Sequence, residues 1–181
     1  MASRTANAYS RPDHSEGMSA DALSLTPERV REEYEFVRRR PVAALITAVR
    51  ERLGTAFEVS VPGVTPAQYR AEVDAVFADG DLAVNVAALV AVLRRIDVEG
   101  DYPGFVVDEL LGRRLAATIA GGQPYATLAA ATFHVADIHA HGAEDDTAGL
   151  DDLDAALAAG FQSRLPGWAW TEGGSPFAVD P

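Results

Sequence analysis

Residues 82–93 read LAVNVAALVAVL, apolar at every position except Asn85. A helix that is hydrophobic on all sides has no face to turn to water, so it belongs at the centre of a bundle. Asp81 can cap its start, and the run predicts a helix to about residue 96. Asn85 is then a buried amide, bonded across the core or orienting a ligand.

Outward from this run, the neighbouring segments also read as helices. Upstream, Thr65, Pro66 and Gln68 form a capping-box pattern with proline at the first helical position, predicting a helix over 66–78 that stops near Gly80. Thr26 and Pro27 open another in the same way, running to about residue 40 with Val30, Tyr34 and Val37 on its apolar side. Pro41 breaks it, and a second helix over 42–53 closes on Gly54. Residues 57–61, FEVSV, alternate as a strand does but have no partner strand in the sequence, so an extended connector is expected. Downstream of a turn at 100–104, a helix over 105–120 has Val106, Leu110, Leu111, Leu115 and Ile119 as its spine. A short connection at 121–123 returns it antiparallel as the next helix, and a last helix covers about 150–165 before Pro166.

The fold class expected is all-α: a single helical bundle of about six or seven helices around a central apolar helix, with extended N- and C-terminal arms. The domain spans 26–165, between a polar arm at 1–25 and an aromatic, Gly/Pro-rich arm at 166–181. At 181 residues and 48% hydrophobic content the chain can bury one core, and the first residues are too poor in large apolar groups to fold alone.

Composition excludes several chemistries. There is no cysteine, so disulfides, thiolate nucleophiles, iron–sulfur clusters and cysteine-bound zinc are not expected. All fifteen basic residues are arginine, which removes Schiff-base lysines, lysine-anchored pyridoxal phosphate (PLP) and the P-loop lysine. A formal charge of −12 opposes binding to nucleic acid or anionic membrane, since both need a positive field. No run reaches the roughly 20 apolar residues of a membrane span. Heavy alanine, arginine, glycine and aspartate use points to a GC-rich bacterial genome, and a cytoplasmic location is expected. No serine-hydrolase elbow, dinucleotide-binding glycine turn, HExxH pair or internal repeat is present.

Groups able to work near neutral pH converge only at 126–142, ATLAAATFHVADIHAHG, where three of the four histidines fall within eight residues. His134, Asp137 and His141 share one helical stripe, and Asp137 stands one turn from each histidine. Glu109, or Asp108, at the start of the preceding helix would face them in an antiparallel hairpin. These groups suit proton transfer or a metal, although His134 and His141 are about 10 Å apart along the axis, which is long for one ion. They also suit a helix C-terminus, where histidines offset the dipole ahead of Gly142. Glu144, Asp145 and Asp146 follow as an acidic loop without the spacing of a calcium site.

Two further groups suggest contact with a partner. Trp168, Trp170 and Phe177 in the C-terminal arm offer large area for few residues, either to the chain's own body or to another molecule. Arg38, Arg39 and Arg40 can grip an anion or simply end a helix in solvent. Seven arginines lie between Arg29 and Arg52, whereas nine acidic residues follow His134 against Arg164 alone, an asymmetry that can join two halves or two copies. Two functions follow from the sequence. The first is a non-catalytic helical accessory subunit or interaction protein of a bacterial complex or homo-oligomer. The alternative is a small enzyme of specialised metabolism using His134, Asp137, His141 and Glu109.

Overall fold

A computed structural model describes residues 23–96, 107–140 and 150–172. The described residues form eight helices and no strand: α1 (Pro27–Arg39), α2 (Ala43–Ala56), α3 (Pro66–Ala78), α4 (Gly80–Leu93), α5 (Val107–Ala120), α6 (Tyr125–Ala140), α7 (Leu150–Gln162) and α8 (Ala169–Glu172). The chain is all-α and packs as a bundle. Most of the N-terminal arm, the 100–104 turn with Val106, the acidic loop and Phe177 lie outside the described residues.

Local chemistry sets the helix ends. The Thr26 hydroxyl accepts from the Arg29 amide at 3.2 Å, and the Thr65–Gln68 capping box closes in both directions. One cap differs from expectation. Asp79, not Asp81, takes the first amides of α4, accepting from the Leu82 N–H at 3.2 Å, so Asp81 becomes a first-turn acid favoured by the dipole. Residues 57–61 are not a strand; the Val59 N–H folds back onto the Gly54 carbonyl at 2.9 Å.

The centre of the bundle is α7 rather than α4. Leu153, the run from Ala155 to Ala159, Phe161 and Gln162 are all buried, so α7 is enclosed on every side from Ala155 onward, with Asp151, Asp152 and Asp154 partly exposed near its start. Helix α4 instead leaves Val84 45% exposed, and Asn85 is a surface residue whose amide donates to the Asp81 carbonyl at 2.9 Å. The physical reason is volume. Alanines and Gly160 let α7 come very close to its neighbours: a Cβ at Gly160 would meet Ile119 Cβ at 2.8 Å and the Ala116 carbonyl at 3.0 Å. Valine is more hydrophobic than alanine, but alanine admits more neighbours.

Around α7 the core gathers Ile46 and Val49 of α2, Tyr69 and Val73 of α3, Val86 and Val90 of α4, Leu115 and Ile119 of α5, and Phe133 of α6. Tyr69 sets its ring edge-on to Phe161 at 5.3 Å between centroids and donates its hydroxyl to the Val37 carbonyl at 2.7 Å. Burial, with Asp154 nearby, pushes its phenol well above the usual range. Among the described residues no single helix is long and apolar enough to cross a membrane; α3 and α4 pass that test only as a pair bent by 111°.

Candidate interaction surface

The histidine helix packs antiparallel to α5 at close range. Gly112 of α5 lies under the Phe133 ring, 2.5 Å from where its Cβ would stand, so the two helices meet at that level. The chemistry-bearing side chains do not gather there. His134 and His139 are exposed, Asp137 is half-buried, and His141 lies outside the described residues. Glu109 is ion-paired with Arg113 one turn along its own helix, and Asp108 accepts from the Glu109 amide at 2.9 Å. Among the described residues no group of three or more histidines and carboxylates is placed to hold a metal.

The arginine run is divided between internal bonds and solvent. Arg38 forks onto Asp74 of α3 at 2.8 and 3.4 Å, beside the Tyr34 hydroxyl, which donates to the same carboxylate at 2.9 Å. The Arg38 bond, against a smaller opposing effect of burial, holds Asp74 below the usual carboxylate range, and donation to Asp74 raises the Tyr34 phenol. Arg40 forks onto Asp154 of α7 at 2.7 and 2.6 Å. Only Arg39 is held in solvent, 77% exposed beside Glu35. Of the three arginines, which can grip an anion or end a helix in solvent, Arg38 and Arg40 instead bond to α3 and α7, because a carboxylate on each neighbour stands within reach of a planar fork.

Beside this clamp runs a groove of about 760 Å³ along α1, with Phe36 on its wall and five arginines around it. Its charges are largely matched. Arg29 pairs with Glu32 at 2.7 Å, and Arg94 pairs with the buried Glu33 at 2.6 Å while covering the Phe36 ring at 3.9 Å. The groove presents mixed charge rather than a cationic site.

Of the two roles open to Trp168, packing on its own body or on another molecule, the structure shows the first. The side chain is 2% exposed and held by its own bundle. Its indole N–H donates to the Gln162 carbonyl at 3.0 Å, and its ring stacks on Trp170 at 4.7 Å and 8°. Trp170 is half-buried, donates to the Ser163 carbonyl at 3.0 Å and lies 5.9 Å from the Tyr125 ring. Beneath the pair, the buried Arg50 donates to the Leu165 and Pro166 carbonyls just past the end of α7, so the aromatic segment is fastened where that helix stops. Burial lowers the Arg50 pKa. Phe177 lies outside the described residues.

Among the described residues, Phe57, Val59 and Val84 are exposed singly or in a pair, and three further large apolar residues are exposed on the outer face of the α5–α6 hairpin. On α6 the exposed residues are Thr127, Ala131, His134, Ile138 and His139; the first four recur at helical spacing, and none carries a fixed charge. On α5, Val107, Leu110, Arg114 and Ala117 form the facing stripe. Val107 is 44% exposed, Leu110 51% and Ile138 63%. Between the stripes lies a groove of about 830 Å³ lined by Leu110, Arg113, Arg114, Ala117, Ala126 and Ala130 among others. By contrast, α1 turns Arg31, Glu32 and Arg39 to solvent.

Helical spacing places Leu110 on the core spine of this segment, whereas the structure leaves it 51% exposed. A signal was present. Residues 115–136 contain no Asp, Glu or Arg in a chain that is 23% charged, yet one side of a helix there must meet the surface. Both stripes of that helix carry apolar residues, the pattern of a helix covered on two sides.

An all-helical bundle with an open apolar hairpin face is thus the class of protein that fold and surface define. The chain belongs to the family described as a domain of unknown function, DUF7984, whose model matches residues 23–181. No curated protein and no solved structure matches it.

Proposed function

We propose that this chain is a non-catalytic interaction protein that docks a macromolecular partner on the outer face of α5 and α6. The observation that carries the reading is the exposed side of α6, apolar or neutral from Thr127 to Ile138 and continued across the groove by Leu110. Exposed apolar area of this kind costs solubility unless something covers it. Small side chains at Ala117, Ala130 and Ala131 favour a helix as the covering element, since they allow close axial approach. The enzyme alternative has less support, because His134 stands in solvent and Glu109 is engaged by Arg113.

The test is native mass spectrometry of the protein purified from its own host, beside Leu110→Glu and the control Ala71→Glu on the exposed side of α3. The expected result is a second macromolecular chain, either a further copy or a distinct protein, lost in Leu110→Glu and kept in Ala71→Glu with helical content unchanged in both. A bare monomer carrying a small molecule or metal that is lost in His134→Ala would overturn the proposal in favour of acid–base or metal chemistry.

A further inference from the structure

The end of α2 carries a feature that the bundle itself does not require. Helix α2 closes in a Schellman turn: the Val59 N–H donates to the Gly54 carbonyl at 2.9 Å, and the Glu58 N–H to the Thr55 carbonyl at 3.4 Å. The residue just past such a helix end lies in the left-handed region, where glycine is usual because it has no Cβ to strain. Here that residue is Glu58, exposed and at φ 56°. Strain of this kind persists where the side chain is used, and Glu58 stands on a cavity of about 470 Å³. A Cβ at Gly54 would be 2.6 Å from the Val59 carbonyl, so the segment after Glu58 lies directly over α2 and forms one wall of that cavity.

Opposite charges share the cavity. Its buried lining is Arg50 and Gly54, and its exposed lining includes Glu51, Glu58 and Val59. Arg50 is 1% exposed, yet both bonds of its guanidinium run from Nη2, to the Leu165 and Pro166 carbonyls, and Nε has no partner. Burial lowers its pKa with no carboxylate acting against that shift. A buried charge without a counter-charge is costly, and the carbonyls past the end of α7 meet only one nitrogen of the fork. Glu51 and Glu58 are the converse, exposed carboxylates with no ion-pair partner among the described residues. An anion alone would meet the two glutamates, and a cation alone would meet Arg50. A molecule carrying both charges matches the whole lining, whose remaining side is the apolar Val59 and Val61. The volume is within the range of small-ligand sites, and an arginine with unused donors suits a carboxylate.

We infer that this cavity binds a free α-amino acid with an aliphatic side chain, its carboxylate on Arg50, its ammonium at Glu51 and Glu58, and its side chain against Val59 and Val61. The site is separate from the α5–α6 face and stands or falls without it.

Calorimetric titration of the full chain with L-leucine tests it. Saturable binding of one molecule per chain is expected. N-acetyl-L-leucine, which lacks the ammonium, and L-leucinamide, which lacks the carboxylate, should each bind at least tenfold more weakly. Glu58→Gln, which removes the charge and keeps a side chain at the strained position, should weaken L-leucine at least tenfold. Glu58→Gly should do the same in a chain whose thermal midpoint is unchanged or raised, because glycine relieves the strain; a purely structural Glu58 would change stability and leave binding alone. No binding of L-leucine, L-valine or L-isoleucine at millimolar concentration overturns the inference. So does N-acetyl-L-leucine bound as tightly as L-leucine, or L-leucine bound equally by the natural chain and both Glu58 variants.

Discussion

Replacing Gly160 by alanine tests whether α7 is the pivot of the bundle. In an exposed helix the change is favourable by about 1 kcal/mol, because glycine loses more backbone entropy than alanine. Here the added methyl would stand 2.8 Å from Ile119 Cβ, 3.0 Å from Ile119 Cγ2 and 3.0 Å from the Ala116 carbonyl. These are a β-branched carbon and a backbone atom of a packed helix, so neither can swing aside and α5 must move away from α7. Overpacking of this kind costs about 1–3 kcal/mol, and contacts this short belong at the upper end. The net effect expected is a loss of about 2 kcal/mol. Urea unfolding followed by helical circular dichroism measures it. With a slope of about 2 kcal/mol/M the midpoint should fall by about 1 M at unchanged slope. Gly80→Ala is the control, since a Cβ there meets nothing within 4 Å, and it should be neutral or slightly stabilising. A Gly160→Ala chain as stable as the natural one would refute the claim that alanine and glycine place α7 at the centre.

Trp168→Ala should cost about 3–5 kcal/mol by the same measurement, because the ring is 2% exposed and its removal leaves Arg50 and Trp170 against a void; a loss under 1 kcal/mol would mean that the aromatic segment is not part of the core. Asp154→Asn should cost about 1.5–3 kcal/mol, the range for hydrogen bonds to charged groups, through the Arg40 fork, whose side chains are 21% and 16% exposed. Asp74 should give a pH signature: its pKa is depressed in the fold, so its contribution is present above the unfolded carboxylate pKa and lost as pH falls through the folded one. The stability difference between the natural chain and Asp74→Asn should therefore shrink on acidification, by a small amount because both Asp74 and Arg38 are more than a third exposed. A difference constant down to strongly acidic pH would show that the pairing is energetically idle.

The helices were legible wherever a local signal governs them. Thr26 with Pro27 and Thr65 with Gln68 start α1 and α3 because a hydroxyl or amide within three residues satisfies an orphan N–H, and that geometry needs no distant partner. The candidate surface was only half legible. The clustering of His134 and Asp137 marks α6 in the sequence, but the structure does not gather them: His134 is exposed on an uncharged stripe with Thr127, Ala131 and Ile138, whereas Asp137 is half-buried. Spacing places Leu110 in an apolar stripe without saying whether anything covers it.

The sequence by itself determined an all-α chain, the capped starts of α1 and α3, a cysteine-free and lysine-free chemistry, and an acidic charge. Tertiary structure alone decided that α7 rather than the valine-rich α4 is enclosed, that Arg38 and Arg40 reach carboxylates 36 and 114 residues away, that Trp168 belongs to its own bundle, and that α5 and α6 remain open. The reason is the range over which each quantity is set. Caps and periodicity are properties of a few consecutive residues, whereas burial and ion pairing depend on which helices approach closely enough. That distance is set by the small side chains between them, Gly112 and Gly160 foremost.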